Sequence, residues 1–178
     1  MDASVEHDDT PEQDEQAVAE ADGDDDALTL EQGIKILKAV KVMAAADGLS
    51  GIERAGIRRR MVELGIPRAV QEEIESFDAE SVELDEILKD FRRGGRQARY
   101  LIIAAISVAS VDGYSDQEKG LVRSAAGRVG ISEQFVTVLE AAEKVARMVE
   151  LLQDPELAEA WQDLGASLLD LDEVVLAR

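Results

Sequence analysis

The sequence predicts an all-α fold: a compact helical bundle of about seven to eight helices with an internal repeat. Three observations predict it. Apolar residues recur at helical spacing from Leu28 onward, and no segment alternates as a half-buried strand does. The chain is 46% hydrophobic but only 3% aromatic, with three prolines, so Ala, Val, Leu and Ile must build the core, which suits closely packed helices. A short phrase also occurs twice: Asp47-Gly48-Leu49-Ser50-Gly51-Ile52-Glu53, and then Asp112-Gly113-Tyr114-Ser115-Asp116-Gln117-Glu118. Each copy follows an apolar helical stretch, and each is followed by a helix ending in Gly-Ile, at Gly65-Ile66 and Gly130-Ile131.

Thr29 with Gln32 forms a capping box that opens the first helix, and Ile34, Leu37, Val40 and Ala44 carry its stripe. A second helix is expected over about residues 50–64, with Ile57, Met61 and Leu64 inward and Gly65 as its stop. Pro67 suits the first turn of a short third helix ending near Phe77. Leu84, Ile87, Leu88 and Phe91 predict a fourth, broken by Gly94-Gly95. The segment from about Arg96 to Val111 is apolar nearly all round, which predicts a helix in the middle of the bundle. A sixth helix runs from Ser115 to Val129, with Leu121, Val122, Ala125 and Val129 inward. The seventh starts near Ser132 and turns Phe135, Val138, Leu139, Ala142 and Val149 inward. Asp154-Pro155 opens a last helix, with a stripe of Leu157, Trp161, Leu164, Leu168, Leu171 and Val175.

The formal charge of -20 is unevenly spread. Residues 1–26 hold 12 acids and no Lys or Arg, leaving 27 acids against 19 bases, a net of -8, for residues 27–178. Residues 1–27 are therefore expected to be an acidic, disordered tail, since so few apolar side chains cannot offset the entropy of ordering. The same charge disfavours nucleic acid, whose phosphates need Lys and Arg. The absence of cysteine excludes disulfides and thiolate chemistry. No basic region is followed by an apolar core at the N-terminus, and the longest apolar run, Tyr100 to Val111, is short of the roughly 20 residues a spanning helix needs. A cytoplasmic protein without direct membrane insertion is expected.

In the repeated phrase, Gly48 and Gly113 end one helix, and Ser50-x-x-Glu53 and Ser115-x-x-Glu118 cap the next. Helix–turn–helix geometry therefore accounts for Gly, Ser and Glu. It does not account for Asp47 and Asp112, placed by the pattern in the last turn of a helix, where the negative end of the macrodipole opposes a carboxylate. The aspartates admit two readings: bonds to backbone N–H groups of the following turn, or an all-oxygen shell for a hard cation such as Ca²⁺ or Mg²⁺. The spacing is not that of an EF-hand, because the Glu comes six residues after the Asp rather than at the twelfth loop position.

At these residues the chain resembles the TerB-like family, named for the tellurite resistance protein TerB. The resemblance rests on Ala44-Ala45-Ala46-Asp47-Gly48-x-Ser50-x-x-Glu53 with Leu64-Gly65-Ile66, and on Ala109-Ser110-Val111-Asp112-Gly113-x-Ser115-x-x-Glu118 with Val129-Gly130-Ile131. It covers residues 28–141 and leaves 142–178 as a C-terminal helical extension packing on that domain. The resemblance implies a compact, internally repeated helical domain, an association with tellurite resistance or other stress, and divalent cation binding by Asp47, Glu53, Asp112 and Glu118. Gly51 stands where the second unit has Asp116, so the first unit has one acid fewer. A related domain in membrane-anchored co-chaperones implies a protein partner, a membrane-associated stress complex among the possibilities.

Among the other candidates, His7 is the only histidine and lies in the tail, so no Ser-His-Asp triad or Glu-x-x-His pair is available. The Arg92-Arg93-Gly94-Gly95-Arg96 patch is expected to pair with carboxylates of neighbouring helices, and Trp161 to pack on the bundle. The expectation is a non-enzymatic stress-response or tellurite-resistance-associated protein, binding a divalent cation, Ca²⁺ or Mg²⁺, and a protein partner. Two alternatives stay open: a metal-free helical interaction or co-chaperone-like module, and a carboxylate metal-dependent hydrolase.

Overall fold

The structure is a computed structural model that describes residues 28–169; the acidic tail, Leu171 and Val175 lie outside the described residues, as do the side chains of Asp47 and Leu168. All its regular elements are helices: α1 (Leu30–Ala44), α2 (Gly51–Glu63), α3 (Arg68–Ser76), α4 (Leu84–Leu88), α5 (Arg96–Ala109), α6 (Asp116–Arg128), α7 (Glu133–Leu152) and α8 (Pro155–Leu169), with a 3₁₀ turn at Ala45–Asp47. No helix among the described residues is long and apolar enough to cross a membrane. The expected boundary at 141/142 falls inside α7, which runs unbroken.

The core forms where the apolar stripes of α1, α2, α5 and α6 predict; the stripe of α8 departs from expectation, since Leu157 and Leu164 are 44% and 48% exposed at the edge of the fold. Helix α5 buries Ala98, Leu101, Ile102, Ala104, Ala105, Ile106, Val108 and Ala109, and packs most extensively on α1, whose Ile36, Leu37, Ala39 and Val40 are fully buried. Alanines at Ala39, Ala104 and Ala105 let the two backbones approach. The pairs α1–α2 and α5–α6 are built alike: helix, positive-φ glycine, capping box, helix, Gly-Ile end. They interlock, since α2 also packs on α5 and α6 on α1. The close fit of α2 on α5 passes through Gly56, where a Cβ would already touch Val108 Cγ2 at 3.7 Å. Helix α7 lies across α5 and α6, and α8 returns along α7.

Two cations end helices. Lys41 donates to the carbonyls of Ile74, Glu75 and Phe77 at 3.0, 2.7 and 2.7 Å, closing α3 against α1. Arg93 donates to the carbonyl of Arg128 at 2.6 Å, at the C-terminal end of α6. For Arg93 this corrects the expected pairing with carboxylates: the negative end of a helix supplies the acceptor instead.

The fourth helix is shorter than its apolar spacing predicts, ending at Leu88 while Phe91 is buried from the following turn. The Gly94 N–H donates to the Val129 carbonyl at 2.8 Å, so the chain must leave the helix early to reach the end of α6.

Candidate functional site

The two copies of the phrase meet at the junction of the units. Ser50 and Ser115 each cap their helix: Ser50 Oγ accepts from Glu53 N–H at 3.1 Å, and Ser115 Oγ from Glu118 N–H at 3.2 Å. The glutamates answer, Glu53 Oε2 accepting from Ser50 N–H at 2.7 Å and Glu118 Oε2 from Ser115 N–H at 2.6 Å. Both glutamates are buried, at 3% and 5% exposure, because the helices they begin are pressed onto the other unit. Glu118 helps line a small void of about 10 Å³ with Val40, Met43, Ala105 and Val122.

The aspartates occupy a different place from the one expected. Helix α5 ends at Ala109, and Asp112 lies beyond its C-cap, Ser110; Asp47 closes the 3₁₀ turn after α1. Both have therefore left the α-helix proper, which relieves the conflict with the macrodipole. Among the described residues, the Asp112 side chain takes its partner from the other unit. Its Oδ2 accepts from the Ser50 hydroxyl of the first unit at 2.6 Å. Gln117 reaches the same way, its Nε2 donating to the Ala46 carbonyl at 3.1 Å. Ser50 thus serves twice, as cap acceptor and as donor across the junction.

This arrangement concentrates negative charge. Burial raises the Glu53 carboxyl above its ordinary value; the Ser50 N–H and hydroxyl oppose that, while Asp112 and Glu118 add to it. Glu53 Oε1 is buried without a hydrogen-bond partner. A group whose folded pKa is raised binds its proton more tightly folded than unfolded. Its contribution is favourable at low pH and is lost as pH rises above the ordinary carboxylate value and through the raised one. Glu53→Gln keeps the cap acceptor and removes the titration. The variant is expected to equal or exceed the wild type in stability at neutral pH and to lose ground toward acid; urea unfolding of both proteins from acid to neutral pH checks this. Lower stability of the variant at neutral pH alone would show that something stabilises the charged form.

The donor chemistry suits a hard divalent cation: the facing groups are oxygens, and one of them is an orphaned buried carboxylate oxygen. The geometry stops short of a shell. Among the described residues no three His, Cys, Asp or Glu side chains are grouped to hold an ion. Of the four expected ligands, Glu53, Asp112 and Glu118 come together at the junction, each with an oxygen already hydrogen-bonded, and the Asp47 side chain is outside the described residues.

A second feature borders the first copy of the phrase at Ile52. Helices α2, α5, α7 and α8 enclose a groove of about 930 Å³, with Ile103, Ile106, Leu139, Val149 and Trp161 among its walls. Arg60 enters it and donates to the Ser107 hydroxyl at 2.6 Å, while Arg147 Nε lies 3.3 Å from Glu143. Burial holds the Glu143 carboxyl above its ordinary value against the pull of Arg147 and Arg60. Trp161 is half-buried on this wall rather than sealed in the core. Where α7 turns into α8, large apolar side chains face solvent: Leu151 at 83%, Leu152 at 65% and Met148 at 63% exposure. The spacing Val145, Met148 and Leu152 carried the signal in the sequence, as an apolar stripe on the face of α7 away from Leu139 and Ala142.

The chain matches no protein-family model, no curated protein and no solved structure.

Proposed function

We propose that this chain is a non-enzymatic helical interaction module that works by recognising another protein. The observation that carries the reading is the exposed apolar tip of the α7–α8 hairpin, where three large side chains are mostly in solvent. Patches of this kind mark interaction surfaces on soluble domains. The repeated turns then serve as the clasp that fixes the two units and the platform beneath the hairpin. Cross-linking in cells of origin tests this: a partner cross-linked to residues 145–163 should be lost on Leu151→Ser with Leu152→Ser, with the helical circular dichroism unchanged. A partner that stays cross-linked to the variant contradicts it.

A second reading is divalent cation binding at the junction, and the orphaned Glu53 Oε1 between the charges of Asp112 and Glu118 favours it. Asp47, Glu53, Asp112 and Glu118 would hold the ion, which would supply charge neutralisation there. The link to tellurite resistance or stress rests on the family resemblance, and cytoplasmic residence belongs to the same proposal. Amide NMR under calcium or magnesium separates the two readings. The metal-free clasp predicts unchanged residues 47–53 and 112–118 at millimolar ion. Localised shifts there, abolished by Asp47→Asn with Asp112→Asn, would assign a cation site.

A further inference from the structure

We propose that the tip of the α7–α8 hairpin docks a basic amphipathic helix of a partner protein. The inference rests on the interaction-module reading and gives that partner its chemistry. The apolar part is continuous along the chain: Met148, Leu151 and Leu152 belong to the end of α7, and Leu157, 44% exposed, to the first turn of α8. Between them Gln153 adopts a left-handed conformation, φ 53°, and Asp154 Oδ1 accepts from the N–H groups of Glu156 and Leu157. That tight reversal sets the two helix ends side by side.

Charge selects the partner. Residues 133–169 contain eight acids and two bases, Lys144 and Arg147, a net of -6. Arg147 is turned inward to Glu143. Glu156, Glu159 and Asp163 are exposed and recur at i, i+3 and i+7, so they share one face of α8, next to the face of Leu157 and Leu164. Among the described residues no Lys or Arg forms an ion pair with these three acids. An apolar patch flanked by an acidic stripe is the complement of a helix whose apolar stripe is flanked by Lys and Arg. Unbranched Met148 lets the patch adapt to such a helix. A second copy would oppose one acidic hairpin to another, and an anionic lipid surface would be repelled in the same way.

The test uses the full chain and two synthetic helical peptides with the same leucine stripe, one flanked by lysines and one by glutamates. Amide NMR and calorimetry should show the basic peptide binding at residues 145–163. Affinity should fall about tenfold or more when salt rises from about 50 to about 300 mM. Leu151→Ser with Leu152→Ser, and separately Glu156→Lys with Glu159→Lys, should each weaken binding about tenfold or more. Shifts confined to residues 1–26, equal binding of the acidic peptide, or no binding would each overturn the inference. So would a hairpin-dependent dimer in place of peptide binding, since it assigns the surface to a second copy. A cellular cross-link to the hairpin would survive any of these outcomes, so the broader reading fails separately.

Discussion

Alanine at Gly130 is expected to destabilise the protein by about 3 kcal/mol or more, while alanine at Gly65 costs only about 1–2 kcal/mol. The two glycines end corresponding helices and share the left-handed conformation, φ 76° and 63°. Their N–H groups and those of the following isoleucines close similar turns, Ile131 N–H to Ala126 O at 2.8 Å and Ile66 N–H to Met61 O at 2.9 Å. Conformational strain is therefore common to both. The surroundings differ. A Cβ on Gly130 would sit 3.0 Å from Arg93 Cβ and 3.1 Å from the Gly94 nitrogen, whereas a Cβ on Gly65 meets nothing within 4 Å. The Gly94 segment cannot withdraw cheaply, because its N–H is bonded to Val129 O and the Arg93 side chain to Arg128 O. The midpoint of urea unfolding reads the difference. Equal shifts for the two variants would mean that the contact between the α4–α5 loop and the end of α6 is not tight.

Ser50→Ala is expected to cost about 2–3 kcal/mol, more than an ordinary cap. The lost cap accounts for about 1 kcal/mol of this. The remainder comes from the hydroxyl bond to the Asp112 carboxylate, a charge-assisted bond reduced in worth by the exposure of Asp112. Thr29→Ala is the control. Thr29 closes the same box with Gln32, at 2.8 and 3.2 Å, but its bonds stay within α1. That variant should lose only about 1 kcal/mol in the same urea experiment. Equal losses at the two positions would remove the inter-unit share.

The local parts of this architecture are legible in the sequence because their causes are local. Capping boxes at Thr29, Ser50 and Ser115, glycine stops at Gly65 and Gly130, and the all-round apolar α5 depend on residues within one or two turns, and the helices lie where those signals put them. The end of α4 is not local: it is set by the Gly94 bond to Val129, far along the chain. The role of Asp112 is hidden for the same reason. Its acceptor oxygen meets a serine 62 residues away, and no periodicity within one helix announces such a pair. Burial of Glu53 and Glu118 is likewise a consequence of the units interlocking, since the capping pattern alone fits an exposed helix end equally well. The hairpin tip was half visible. The inner face of α7, Leu139 and Val149, could be read from its spacing, but nothing within one helix shows that no neighbouring element covers Met148 and Leu152.

The central claim is that the repeated phrase clasps two helical units through Ser50 and Asp112. A double-mutant cycle tests it most directly: wild type, Ser50→Ala, Asp112→Ala and the double variant, each unfolded in urea with chelator present. The clasp predicts a coupling of about 1 kcal/mol or more, unchanged by added calcium. Additive losses, or a coupling that exists only when calcium is supplied, would contradict it.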